Sequence, residues 1–188
     1  MTTWVTSDLH FYHKNIMKFC PVTRGRFRDV DHMNEEIVRI WNDVVAEDDL
    51  VYNLGDVTFG NAYKTATEIL QRMNGRQILI KGNHDPKPLK DVHFRNCFEE
   101  VHDYLVIKHL GKKIVLFHYP VSEWDCAHYG AIHLYGHVHG NTTGLECFRT
   151  MDVGFDATGN VVTNLDTIVE MMKNVPKFKS HHGQTGEE

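Results

Sequence analysis

Cysteine is scarce in this chain, and its spacing gives no sign of a disulfide framework. The 188 residues hold four cysteines, and no two of them form a C-x-x-C pair. The first residues, MTTWVTSDLHF, also lack the positively charged start and the long apolar segment of a secretory signal. We therefore expect four reduced thiols in a cytoplasmic protein. They are Cys20, Cys97, Cys126 and Cys147.

Two further absences narrow the class of protein. No apolar run approaches the roughly 20 residues that cross a bilayer, so we expect no membrane span. The net charge of −5 provides no overall basic field that would attract nucleic acid. The chain is long enough for one domain with a sizeable core, which we place over residues 1–175. The polar residues 176–188 are expected to form a flexible tail.

Short strand-like runs alternate with helical patterns, which indicates an α/β layered fold with a partly parallel sheet. One hairpin is predicted to turn at Gly111-Lys112, and a second around Thr158-Gly159. The strand-like runs cover residues 3–7, 49–54, 76–81, 104–118, 131–136, 150–155 and 160–165.

The apolar periodicity predicts three helices between these strands. One spans residues 31–46 with Asp31 as its N-cap, and another spans residues 61–73. A last helix is predicted to follow Asp166, which would cap it.

Histidine is abundant, with 14 residues, and several histidines stand beside carboxylates at the ends of predicted strands. The first five strands are followed in turn by D-x-H, G-D, G-N-H-D, a single H and G-H-x-H. In open α/β sheets, ligands bind at the carboxyl ends of the strands. Carboxylate, imidazole and carboxamide groups without a thiolate suit two divalent ions such as Mn, Fe, Zn, Ni or Co. The residues are Asp8, His10, Asp56, Asn83, His84, Asp85, His118, His137 and His139.

This motif series, which spans residues 8 to 139, resembles that of the calcineurin-like metallophosphoesterase superfamily, especially its small bacterial and phage-type members. The resemblance implies a four-layer α/β/β/α sandwich of two mixed sheets flanked by helices, with a dinuclear metal site between the sheets. By motif, the ligands of the first ion would be Asp8, His10 and His139. Asp56 would bridge both ions, and the ligands of the second would be completed by Asn83, His118 and His137.

The implied activity is hydrolysis of a phosphate ester with two divalent ions, manganese first among them. Two cations about 4 Å apart clamp a phosphate, and a water that bridges them becomes the attacking hydroxide. His84 would be the catalytic histidine that protonates the leaving oxygen or stabilises phosphoryl charge, with Asp85 in support. Three residues are candidates for substrate contact, because they follow the first motif or suit phosphate binding: His13, Arg24 and Arg26.

The substrate predicted from these features is a small phosphodiester or phosphomonoester, with nucleotide-derived esters among the candidates and the diester preferred. After Gly55-Asp56 the chain reads VTFG instead of V-D-R-G, which argues against a phosphoprotein phosphatase. The chain also has no room for the large capping domain of the bigger nucleases and nucleotidases. A metal-dependent nuclease is the enzymatic alternative, and a non-catalytic scaffold on the same fold is the other. The oligomeric state stays open.

Overall fold

The fold is a sandwich of two β-sheets, seen in a computed structural model that describes residues 1–178. The nine strands of this part are β1 Thr3–Thr6, β2 Leu50–Asn53, β3 Arg76–Ile80, β4 Glu100–His102, β5 Tyr104–His109, β6 Lys112–Phe117, β7 Ile132–Tyr135, β8 Thr150–Asp152 and β9 Thr163–Asn164. The first sheet has the order β4-β3-β2-β1-β9 and the second the order β5-β6-β7-β8. Both sheets are mixed: β9 runs antiparallel to β1, and β5 runs antiparallel to β6. The predicted fold class is confirmed.

Seven α-helices connect or cover these strands within residues 1–178. They are α1 Ile16–Phe19, α2 Pro21–Arg24, α3 Val30–Val44, α4 Ala62–Glu68, α5 Val92–Arg95, α6 Phe155–Thr158 and α7 Leu165–Met172, with short 3-10 helices at Leu70–Arg72, Pro88–Lys90 and Ala127–Tyr129. None of these helices has the length and apolar character that crossing a bilayer requires.

Side-chain alternation along the strands divides the apolar core into layers. On β6, Ile114 and Leu116 belong to the cluster between the two sheets, which also contains Val5 of β1. The residue between them, Val115, faces the opposite way and packs with Trp124 under the loop that covers the second sheet. The outer face of the first sheet is covered by α3 and α4, which contribute Met33, Ile37, Trp41 and Ala66 to the largest cluster.

The predicted hairpin around Thr158-Gly159 is wrong. Strands β8 and β9 belong to different sheets, and α6 lies between them. Gly159 has a φ of +72° and forms the C-cap of α6, so its left-handed backbone ends a helix instead of turning a hairpin. Glycine with a positive φ occurs both in hairpin turns and at helix C-termini, so the sequence pattern did not distinguish the two structures.

The helix starts and the chain end also differ in detail from the predictions. The N-cap of α3 is Asp29, whose side chain accepts from the His32 N–H, and the N-cap of α7 is Asn164. Asp31 and Asp166 lie inside the first turns, where a carboxylate favours the positive end of the helix dipole. Phe178, placed in the predicted tail, is buried against Trp124. The rest of the tail lies outside the described residues.

Candidate metal centre

The first group of candidate ligands combines two loops that follow strands of different sheets. Asp8 and His10 follow β1, and His139 follows β7. The Nε2 atoms of His10 and His139 are 3.2 Å apart, and Asp8 Oδ1 lies 3.7 Å and 3.9 Å from them. Asp8 Oδ1 is buried and accepts no hydrogen bond, which is costly for a carboxylate oxygen. A divalent cation between these three atoms would satisfy it, so the residues fit a metal ion.

The second group is formed by Asp56, His118, His137 and Asn83. The first three place their ligand atoms within 4.8 Å of one another. His118 Nδ1 donates to the carbonyl of Leu54 at 2.7 Å, which turns its Nε2 toward Asn83 Oδ1, 3.2 Å away. Metal-binding histidines commonly use one ring nitrogen in this way and offer the other to the ion.

Asp56 connects the two groups. Its Oδ2 lies 3.9 Å from His10 Nε2 in the first group and 3.6 Å from His118 Nε2 in the second. Its Oδ1 accepts from the backbone N–H of His84 at 2.9 Å, which fixes the orientation of the carboxylate. A single carboxylate facing both groups has the position that a bridging ligand needs.

The backbone is strained where it presents these side chains. Among residues 1–178, eight residues other than glycine have a positive φ, and five of them are candidate ligands. Such conformations cost on the order of 1–3 kcal/mol each and cluster at functional sites. Each allows the chain to turn at once after a strand and point its side chain into the site. The five are Asp8, His10, Asp56, His137 and His139.

Two glycines allow the ligand loops to approach each other. A Cβ atom at Gly136 would lie 2.3 Å from Asp8 Oδ2, and one at Gly82 would lie 2.2 Å from Asp56 Oδ1. Both positions bring backbone against the candidate ligand carboxylates, and any side chain there would displace those carboxylates.

A buried ion pair between Arg24 and Asp156 holds the first group from behind. Arg24 Nε and Nη2 donate to the two carboxylate oxygens of Asp156 at 2.8 Å each, and the same guanidinium donates to the carbonyls of Asp8 and Leu9. The Oδ2 of Asp156 accepts from His139 Nδ1 at 2.8 Å, which leaves Nε2 of that ring facing the site. Arg24 is fully buried and fully used, so the expectation that it contacts substrate is not met.

Local charges set the ionisation of this group. Burial raises the pKa of Asp156, but hydrogen bonds from His139 and Arg24 outweigh it and hold the pKa well below its usual range. Burial lowers the pKa of His139, but Asp156 and Asp8 outweigh it and leave that pKa raised. The pKa of Asp8 is also lowered, because nearby histidines outweigh its burial. Both carboxylates are therefore ionised at neutral pH, as the binding of a cation requires.

His84 and Asp85 are neighbours in sequence but have separate positions. The His84 ring is partly exposed, and its Nε2 lies 3.8 Å from Asp56 Oδ2. The buried carboxylate of Asp85 accepts backbone N–H groups of Asp56, Val57 and Gly82, and burial raises its pKa. Asp85 thus joins the two loops that carry Asp56 and Asn83. It does not orient the His84 ring, contrary to the expected supporting role.

The two remaining candidates for substrate contact lie in different places. His13 lines the cavity that contains the ligands, and its ring stacks on Phe59 with centroids 3.8 Å apart. Burial lowers its pKa to about 4. Arg26 is exposed and packs over Phe27 in a separate groove beside α3, so it does not reach the ligand cavity.

Comparisons with known proteins agree with this geometry. Residues 1–141 match the profile of the calcineurin-like phosphoesterases. An uncharacterized protein of Methanocaldococcus jannaschii is 32% identical over 176 residues, which cover 90% of each chain. The gene 66 protein of Mycobacterium phage L5 is 28% identical, with 96% of this chain and 98% of that protein covered. A solved structure of a protein of unknown function from Aquifex aeolicus superposes with a TM-score of 0.69 at 27% identity, covering 90% of this chain and 98% of the other.

Two mixed sheets with groups of candidate metal ligands at their strand ends define a metallophosphoesterase fold. The chain belongs to the calcineurin-like phosphoesterase family, whose members are hydrolases of phosphate esters that use divalent metal ions.

Proposed function

We propose that this protein is a dinuclear metal-dependent phosphoesterase that hydrolyses a small phosphate ester. The observation that carries the proposal is the position of Asp56, whose Oδ2 faces His10 of one ligand group and His118 of the other. Asp8, His10 and His139 would hold one ion, and Asn83, His118 and His137 the other. Manganese is the ion we favour, because the groups contain oxygen and imidazole ligands.

The bound ions, His84 and Asp85 would have different roles in the reaction. The two ions, when bound, would neutralise phosphoryl charge and activate the attacking water. Hydrolysis forms one bond from the water oxygen to phosphorus and breaks the bond to the leaving oxygen, which keeps the bonding electrons and takes up a proton. His84 would supply that proton, because its ring is near Asp56 yet partly exposed. The buried Asp85 would keep the loops of Asp56 and Asn83 at a fixed separation.

A phosphodiester is the substrate class that we favour. The ligand cavity, about 240 Å³ in volume, has neither lysine nor arginine among its described lining residues. A phosphomonoester dianion carries one more charge than a diester, and extra cationic side chains would favour its binding.

A nuclease is less favoured, because the net charge is −5. A non-catalytic scaffold would need neither His84 nor a complete ligand set. The four free cysteines suit a cytoplasmic protein.

A hydrolysis screen of the purified protein tests this proposal. The substrates are bis-p-nitrophenyl phosphate, p-nitrophenyl phosphate, cyclic nucleotides and nucleotide sugars, each with Mn²⁺ and with EDTA. We expect Mn²⁺-dependent turnover that is faster on diesters than on monoesters. An Asp56→Asn protein purified in parallel excludes a contaminating phosphatase. Absence of turnover on every substrate, or equal turnover in EDTA, would contradict the proposal.

A further inference from the structure

A second cavity, of about 440 Å³, adjoins the ligand cavity. Both cavities are lined by Phe59 and His84, which therefore form the wall between them. The smaller cavity, of about 240 Å³, is lined by five of the seven candidate metal ligands and has too little volume for a phosphoryl group together with a large substituent. The second has the size of a small-molecule site. A substrate larger than its phosphoryl group would extend past the wall.

The position of His84 indicates which part of the substrate enters the second cavity. A group that protonates the leaving oxygen must lie within hydrogen-bond reach of it. The leaving group is therefore on the His84 side of the phosphorus. Since His84 also lines the second cavity, that cavity is where the leaving group has room.

The lining of the second cavity suits a ligand with a planar ring and an attached polar group. Phe59 is 43% exposed, and its ring is fixed by stacking on His13 with centroids 3.8 Å apart and planes 10° apart. The lining also contains the apolar Ala62 and Pro88 and the polar Asn61 and Lys87. A partly exposed aromatic ring held in one orientation is a suitable platform for stacking another planar ring.

We infer that this second cavity is a leaving-group subsite for an alcohol that bears a planar aromatic ring, such as a nucleoside. The inference rests on the proposed phosphoesterase function and adds the substrate class. Phe59 is a specificity-determining residue, His13 holds its ring in place, and neither is a metal ligand.

A pair of synthetic diesters isolates the effect of the ring. Methyl 4-chlorophenyl phosphate and methyl hexafluoroisopropyl phosphate have leaving groups of similar acidity, but only the first leaving group is planar. In Phe59→Leu we expect KM for the aryl diester to rise by about tenfold, the usual scale of aromatic stacking on a base. KM for the alkyl diester should change much less than KM for the aryl diester, and metal content should stay at the wild-type value. Phe19→Leu is the matched control, because Phe19 is exposed and lines the ligand cavity but not the second cavity.

Equal effects of Phe59→Leu on both diesters would overturn the inference, as would an aryl-selective loss in Phe19→Leu but not in Phe59→Leu. Calorimetric binding of phenylphosphonate and methylphosphonate to Mn²⁺-loaded protein separates this inference from the proposed function. If neither diester turns over but phenylphosphonate binds more tightly and loses that advantage in Phe59→Leu, then only the proposed catalysis fails. If both diesters turn over without a phenyl preference in either assay, then only the subsite fails.

Discussion

The two halves of the proposed metal centre use similar side chains but are held in different ways. In the first half, Asp8 and His10 are almost fully buried, and the ring of His139 is fixed by Asp156. Asp156 is in turn paired with the fully buried Arg24. In the second half, the shared Asp56 and His118 are buried, whereas Asn83 and His137 are exposed. The centre therefore has one half that is fixed from behind and one that is open to solvent.

This difference implies different affinities for metal. The ligands of the first half are oriented before an ion arrives, so binding there costs little ordering of side chains. The exposed ligands of the second half must be ordered on binding. We therefore expect the first ion to be held tightly and the second to exchange. Five substitutions, a pH series and a metal titration test this contrast, beginning with the largest expected effect.

Asp56→Asn removes the one carboxylate that faces both halves. The amide keeps an oxygen that can accept from the His84 N–H, so the loop should keep its shape. A neutral amide bridges two cations poorly, and we expect several kcal/mol of transition-state stabilisation to be lost, which is about 10³-fold or more in kcat. Steady-state kinetics with Mn²⁺ measures this. Retention of more than about a tenth of wild-type kcat would show that Asp56 is not shared between two ions.

His84→Ala should separate chemistry from metal binding in both halves. We expect both ions to stay bound and kcat to fall by roughly 10²–10⁴, the usual contribution of a positioned acid or base. The loss should be smaller for p-nitrophenolate, because that leaving group needs less protonation. Metal content per chain, measured beside kcat, checks this. Loss of metal would make His84 a ligand, and an unchanged kcat on a poor leaving group would remove its catalytic role.

His139→Ala and His137→Ala compare the halves directly, since each removes one imidazole from the same G-H-x-H motif. His137→Ala should lose the exchanging ion, and its activity should partly return at high Mn²⁺. His139→Ala should need more than about 100-fold more Mn²⁺ than wild type, because losing even a residue behind a ligand costs 10- to 100-fold. Mn²⁺ titration of activity gives both values. Equal rescue of the two variants would show that the halves do not differ.

Asp156→Asn should weaken metal binding by the first half without replacing one of its three candidate ligands. It leaves the buried Arg24 charge unpaired, and we expect unfolding to become easier by about 3–5 kcal/mol. Mn²⁺ affinity should fall by about 10- to 100-fold. Thermal unfolding in EDTA measures the stability. Asp43→Asn, at an exposed ion pair with Arg39, is the matched control and should change little.

The difference in unfolding stability between wild type and Asp156→Asn should depend on pH with a definite sign. The pKa of Asp156 is lowered on folding, so its charge stabilises the folded state above the ordinary aspartate pKa of 3.8. The stability gap between wild type and Asp156→Asn should grow as pH falls through the raised pKa of His139, because Asp156 stabilises the protonated ring, and should shrink as pH falls below about 4, where Asp156 takes up a proton on unfolding. A gap that grows below about pH 4 would contradict the assigned pairing.

The parts of the site that sequence patterns could predict are local. Each ligand lies within a few residues of a strand end, and the strand period fixes where the chain delivers it. Asp156 was not predicted, because its partners His139 and Arg24 lie 17 and 132 residues away and no short motif marks it. Arg24 was predicted to contact substrate because arginine suits phosphate binding, whereas its buried guanidinium pairs with Asp156.

The role of Asp85 shows the same limit. Adjacency to His84 suggested contact with that ring, but its carboxylate instead joins two loops through backbone N–H groups 28 and 29 residues away. Such long-range side chain to backbone bonds depend on how the strands pair, and spacing along the chain does not show them.

The central claim, a dinuclear centre with unequal halves, is tested most directly by titrating metal-free protein with Mn²⁺. Calorimetry should count the ions bound per chain while diester hydrolysis is followed in parallel. We expect two ions per chain in a tight and a weaker step, with activity rising along the weaker step. A single ion per chain with full activity, or full activity before any metal is added, would contradict the account.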